Sequence, residues 1–174
     1  MGFWQEWQVA RQRRKRAAAY LEALRSPAAD PDVVWLTALG VPADLAAREM
    51  LFARRAIGLI VAERDALDDQ TAADVAHALN ASLAAAPASA APLWQARWRA
   101  YAAALATRGS TEVPARRMAR VLLEGAEVPT PTVPQLAAAT GVMQALRGRA
   151  NEALREIFGV ASLPEDVRPS AMKG

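Results

Sequence analysis

The sequence predicts an all-α fold, a single-domain bundle of six or seven helices around a central apolar helix at about residues 42–67. Three observations carry that expectation. Alanine, the strongest helix former, supplies 43 of the 174 residues. No stretch rich in Val, Ile and Thr alternates in period two, as a half-buried strand would. Apolar residues instead recur at steps of three and four between proline and glycine breaks. The length suits one domain with a real core and is short for two.

The first helix runs from about residue 3 to Leu24 and stops before Pro27, because the residue preceding a proline is pushed out of the helical region. Phe3, Trp7, Ala10, Arg14, Ala17, Leu21 and Leu24 form its apolar seam, with one arginine in the middle. The run Arg11-Gln12-Arg13-Arg14-Lys15-Arg16 exceeds one turn of about 3.6 residues, so its charges point in every direction. Charges cannot be buried unpaired. The helix must leave the body there or grip something acidic.

A second, short helix has Asp30 as N-cap, Pro31 at its first position and Gly40 just past its end, with Val34, Trp35, Leu36 and Leu39 as apolar residues. The third starts near Pro42, with Asp44 in its first turn, and reaches about Leu67. Its centre, Ala56 to Ala62, is apolar on every side, so the other helices should pack around it, and Gly58 should admit a close neighbour. Thr71 and Asp74 approximate a capping box opening a fourth helix that carries Val75, Ala76, Leu79 and Leu83 and ends before Pro87.

Residues 84–92 read as a low-complexity linker, with Ser89 as the next N-cap. The fifth helix extends to about Arg108, closes at Gly109 and shows Trp94, Trp98, Tyr101 and Leu105 on one face. A sixth spans about 113–124, capped by Ser110 or Thr111 and ended by Gly125. Prolines 129, 131 and 134 stiffen the next link, Thr132 and Gln135 cap a last helix to Phe158, and Gly159 stops it. Residues 1–25 are thus a basic leading helix that projects in part, 26–159 the body, and 160–174, with Pro164 and Pro169, a loose tail.

Charge is distributed unevenly. Residues 1–25 carry six Lys/Arg against two Glu, a balance of +4, whereas residues 26–174 carry fifteen against sixteen acids, a balance of −1. Nineteen of the 21 basic residues are arginine, which together with the alanine excess points to genomic base composition rather than to phosphate recognition. The basic run behind three aromatic residues makes Phe3, Trp4, Trp7, Arg11, Arg13, Arg14, Lys15 and Arg16 the candidate partner-binding set. The expected partner is another protein or a second copy of the chain. Nucleic-acid phosphates and an anionic membrane surface are the alternatives, and the bland reading is a solvated arm.

Residues 134–149 contain a second candidate. Ala137 and Gly141, four apart and flanked by Leu136 and Val142, resemble the helix-turn-helix pattern of bacterial DNA-binding regulators. That resemblance implies Gln144, Arg147 and Arg149 as groove-facing residues, with Arg116, Arg117 and Arg120 available to phosphates. The chain departs from the pattern at Arg147, where the second helix normally buries Val or Ile, and at Gly148. The alternative is one continuous helix with Gly141 and Gly148 as tight packing points.

Catalytic and cofactor chemistry is poorly supplied, and the expected protein is not an enzyme and holds no cofactor or metal. Without cysteine there is no disulfide, thiolate site or cysteine nucleophile. His77 is the single histidine, so paired Glu-x-x-His elements cannot form, and Asp74 with His77 reads as a cap beside a hydrogen-bonded side chain. Glu49, Glu63, Asp65, Asp68 and Asp69 read as solvated acids, since their spacing does not fit a calcium loop. No phosphate-binding glycine loop or nucleophile elbow occurs. A carboxylate/arginine pocket between helices is the one remaining route to catalysis. The Trp94, Trp98, Tyr101 stripe, interleaved with Arg97 and Arg99, reads as a core face rather than a base-stacking platform. No membrane span, secretory leader or lipidation pattern is evident, and the cytoplasm is the expected location.

Overall fold

A computed structural model describes residues 3–25, 30–65, 69–84, 90–107 and 110–159. It is all-helical: α1 (Phe3–Ala23), α2 (Pro31–Ala38), α3 (Ala43–Asp65), α4 (Asp69–Ala84), α5 (Ala90–Ala106), α6 (Pro114–Gly125) and α7 (Val133–Phe158) pack as a helical bundle. The expected C-terminal tail, the Ser89 cap and the Gly109 stop lie outside the described residues.

Helix α3 organises the core. Every residue from Ala56 to Ala62 is buried, because the segment is apolar around its whole circumference and must be covered on all sides. Helices α2, α4, α5, α6 and α7 all pack against it. Helix α1 reaches it at one point, where the Tyr20 hydroxyl donates to the Gly58 carbonyl at 3.0 Å and Leu24 lies over the glycine. A Cβ at position 58 would stand 2.1 Å from Leu24 Cδ1, so the missing side chain is what allows this approach.

Only the second half of the α1 seam is covered. Ala17, Tyr20 and Leu24 are buried and Leu21 partly so, while Trp7, Ala10 and Arg14 are exposed. Tyr20, which the seam reading passed over in favour of Leu21, is fully enclosed and meets Phe158 edge-on at 6.3 Å. Burying side chains of this size contributes about 1.5–3 kcal/mol each, which helps to dock α1 on the body, where α4 and then α7 are its main neighbours and α3 is reached at Gly58.

Several caps follow the local chemistry. Asp30 accepts from the Asp32 amide with Pro31 at the first position of α2, and Gly40 turns the chain at φ 89°. Thr132 and Gln135 form a reciprocal capping box on α7. Others differ from expectation. Helix α4 begins at Asp69, which places Thr71 inside the helix, where it is buried. Helix α6 has Val113 at its N-cap, without a side-chain cap, and Pro114 behind it; Ser110 instead accepts from the Glu112 amide within the preceding turn. Helix α6 does end at Gly125 as expected, and the left-handed residue that follows is Glu127, at φ 61°.

Helix α7 is continuous through 134–149, so the turn that the helix-turn-helix resemblance requires is not formed. The capping box starts the helix at Val133, and residues 137–141 continue it as ordinary helix formers. Leu136, Ala139, Met143, Leu146, Ala150 and Leu154 make one buried stripe at steps of three and four. Gly141 and Gly148 are exposed with open space around them, and are not packing points.

The glycines therefore separate into two classes. Gly58→Ala gains up to about 1 kcal/mol of helix propensity but forces Leu24 to move, an overpacking cost of about 1–3 kcal/mol. We expect a net loss of about 1–2 kcal/mol. Gly141→Ala meets nothing and should gain about 0.5–1 kcal/mol. Urea denaturation of both variants checks the pair.

Candidate functional site

The exposed half of α1 carries the most distinctive surface. Trp4, Trp7, Arg11 and Lys15, spaced by three, four and four, share one face. Ala18 and Glu22, which continue that face, are exposed too, whereas the face bearing Ala17, Tyr20 and Leu24 is turned to the body. Trp4 is 72% exposed and Trp7 48%. Their rings meet edge-on at 5.9 Å, and the Arg11 guanidinium sits over Trp7, 5.4 Å from the ring centroid. The result is an outward ladder of ring, ring and cation, preorganised by side-chain contacts within the helix.

Arg13 and Arg14 lie on the inner side. With Val9 and Ala10 they line a shallow cleft against Gln70 and Asp74 of α4. Asp74 Oδ1 accepts from Gln70 Nε2 at 3.0 Å rather than capping a helix beside His77, which is exposed. Arg11, Arg13, Arg14, Lys15 and Arg16 are all exposed, and no ion pair engages them among the described residues. Phe3 begins the helix, but its side chain lies outside the described set.

The nucleic-acid candidates are placed differently. Arg116 and Arg120 pair with Glu112 Oε1 at 3.0 and 3.2 Å. Arg117 is spent on carbonyls, bonding Ala104 O at 2.5 Å and Glu112 O, which ties α6 to the end of α5. Arg149 bonds Asp32 at 2.7 Å, and Arg147 lies 3.7 Å from Asp65. Gln144 and Arg147 line one cavity and Arg149 another, so the six residues do not form a single basic face.

Two buried ion pairs, unforeseen in the sequence, hold neighbours to α3. Glu49, expected in solvent, is buried with Arg97 Nε of α5 at 2.7 Å and Arg48 Nε at 3.4 Å. Arg97 also donates to the Gly125 carbonyl at 3.3 Å. A Cβ at 125 would stand 2.5 Å from Glu49 Oε2, so α6 ends in glycine where it meets this pair. Arg54, equally buried, bonds Asp30 Oδ2 at 2.6 Å and Asp32 Oδ2 at 3.1 Å. Sequence spacing carries one hint, since Glu49 and Arg54 lie within the two turns just before the apolar centre of α3.

The aromatic stripe of α5 is core: Trp94 and Tyr101 are buried, Trp98 is half-buried, and Trp94 stacks on Trp98 at 6.1 Å and tilts against Phe52 at 5.9 Å. A cavity of about 220 Å³ lies between α3, α5, α6 and α7, with Ile57, Ile60, Met118 and Met143 in its walls and Arg64, Asp65 and Arg147 on its rim. Among the described residues no group of three or more His, Asp or Glu side chains could hold a metal ion, and no helix is long and apolar enough to cross a membrane.

Burial pushes the Glu49 carboxyl above its ordinary value of 4.5, with Arg97 and then Arg48 pulling back. The folded chain therefore holds this proton more tightly than the unfolded chain. Stability from that preference is fully present below the unfolded pKa and is lost as pH rises through the raised folded value. Denaturation across the range upward from pH 4.5 should show the wild type losing stability relative to Glu49→Gln, and parallel profiles would contradict the assignment. The chain matches no known family model, and neither a curated protein nor a solved structure matches it.

Proposed function

We propose that the chain is a non-enzymatic interaction protein that docks an acidic protein partner on the outward face of α1. The observation that carries this reading is the Trp4–Trp7–Arg11 ladder, exposed and continued by Lys15, on a helix whose opposite face is anchored by Tyr20 and Leu24. Tryptophan and arginine are the residues that most often dominate interface energies, and unpaired cations beside them steer acidic surfaces. Pairing two copies arm to arm would oppose five cations to five, so like-charge repulsion favours a different, acidic protein.

The same geometry weighs against the alternatives. A helix lying in a membrane interface needs a continuous apolar face, and the face bearing Trp4 and Trp7 turns cationic from Arg11 onward. For DNA binding through α6 and α7, the arginines are largely committed to Glu112, Asp32 and backbone carbonyls.

Fluorescence anisotropy separates these readings. A labelled peptide rich in Glu and Phe should bind the full chain, weaken steeply with added salt, and lose about tenfold or more in affinity on Trp7→Ala, a truncation worth over about 1 kcal/mol at an interface hot spot. Failure of the peptide to bind while duplex DNA or phosphatidylglycerol vesicles do would overturn the proposal, as would an unchanged affinity for the variant.

A further inference from the structure

We infer that the cavity between α3, α5, α6 and α7 is a binding site for a small apolar α-amino acid. It is separate from the α1 surface, and three independent features define its ligand. The first is shape. The volume of about 220 Å³ is roughly seven times the ~30 Å³ share of a liquid water, room for a branched aliphatic or aromatic side chain. The walls, Ile57 and Ile60 from α3, Met118 from α6 and Met143 from α7, are apolar, and methionine adapts to irregular shapes.

The second feature is a pair of guanidinium groups at the rim, Arg64 in no ion pair among the described residues and Arg147 in a long one with Asp65. Arg64, in the last turn of α3, and Arg147 of α7 both line the cavity. No hydrogen bond or ion pair engages Arg64 among the described residues, and Arg147 reaches Asp65 only at 3.7 Å, beyond hydrogen-bonding distance. Two planar guanidinium groups at one end of an apolar cavity fit a carboxylate.

The third is an orphaned acceptor. Asp65 Oδ2 is buried and receives no hydrogen bond, since its ion pair with Arg147 is too long for one at 3.7 Å, and a buried carboxylate oxygen without a donor is costly. A plain apolar carboxylate would leave that oxygen unsatisfied and add a like charge beside it. An apolar amine would satisfy Asp65 and leave Arg64 without a counter-charge and Arg147 with only its long pair. An α-amino acid meets both, its ammonium on Asp65, its carboxylate on Arg64 and Arg147, and its side chain among the Ile and Met walls.

The test compares four probes on the full chain: L-leucine, L-phenylalanine, 4-methylpentanoate, which is leucine without its ammonium, and 3-methylbutylamine, which is leucine without its carboxylate. Methyl resonances of Met118 and Met143 report occupancy, and calorimetry reports affinity. At least one amino acid should shift both resonances saturably and bind at least tenfold more tightly than either truncated probe. Arg147→Gln and Asp65→Asn should each weaken that binding about tenfold with the helical circular-dichroism spectrum retained. Absence of a saturable shift from either amino acid at millimolar concentration would overturn the inference, as would 4-methylpentanoate binding as tightly as leucine. If Asp65→Asn alters the fold, Arg147→Gln, whose side chain is 59% exposed, carries the test, and unchanged affinity there contradicts the site.

Discussion

The middle of helix α3, from Glu49 to Ala62, is buried almost entirely, yet it carries two ionisable residues into the interior, and the arrangement of the bundle depends on how they are met. An isolated buried ion costs several kcal/mol even after relaxation, and removing one partner of a buried pair typically costs about 3–5 kcal/mol. Glu49 and Arg54 therefore require counter-charges from other parts of the chain. Arg97 brings α5 to Glu49, and Asp30 and Asp32 bring the start of α2 to Arg54. Apolar burial drives the helices together, while these pairs select which neighbour lies where. Gly125 belongs to the same constraint, since its bare backbone supplies a carbonyl to Arg97 in a space with no room for a Cβ.

With the body's buried charges met internally, its surface is nearly neutral and the field outside it belongs to α1. That helix does two jobs in sequence. Its second half is a structural anchor, fixed by the Tyr20 hydroxyl and by Leu24 against Gly58. Its first half carries five cations and two exposed indoles on the same rigid rod. Anchoring at one end presents the other at low entropic cost, because an interface element that is already ordered does not lose that freedom on binding. The amino-acid cavity lies elsewhere, where four helices converge without filling the space between them.

Much of the fold was legible because it rests on local rules. Asp30 with Pro31 and Thr132 with Gln135 mark helix starts whatever surrounds them, and Gly58 in an all-round apolar segment announced a close approach. The candidate site was legible only in part. Trp4, Trp7 and Arg11 are exposed as the charge run implied, but which of their faces points outward is decided by tertiary docking through Tyr20. Alanine richness blurs the rest, since small apolar residues let several faces of a helix pass for a seam, and steps of four and three lead to Leu21 rather than Tyr20. The partners of Glu49 and Arg54 are distant in the chain, so no local pattern exposes them. The pattern at Ala137 and Gly141 failed as a turn because the helix formers around it, started by a strong capping box, continue the helix through it.

The division of α1 into a docked half and a presented half is the claim on which this account rests most heavily, and native-state hydrogen exchange tests it most directly. The account predicts that amides 56–62 of α3 exchange slowest, that those of α1 beyond Ala17 are protected to a comparable degree, and that those before Arg16 exchange through local opening at much lower free energy. Uniform protection along the whole of α1 would contradict it, because the first half would then be held as firmly as the second.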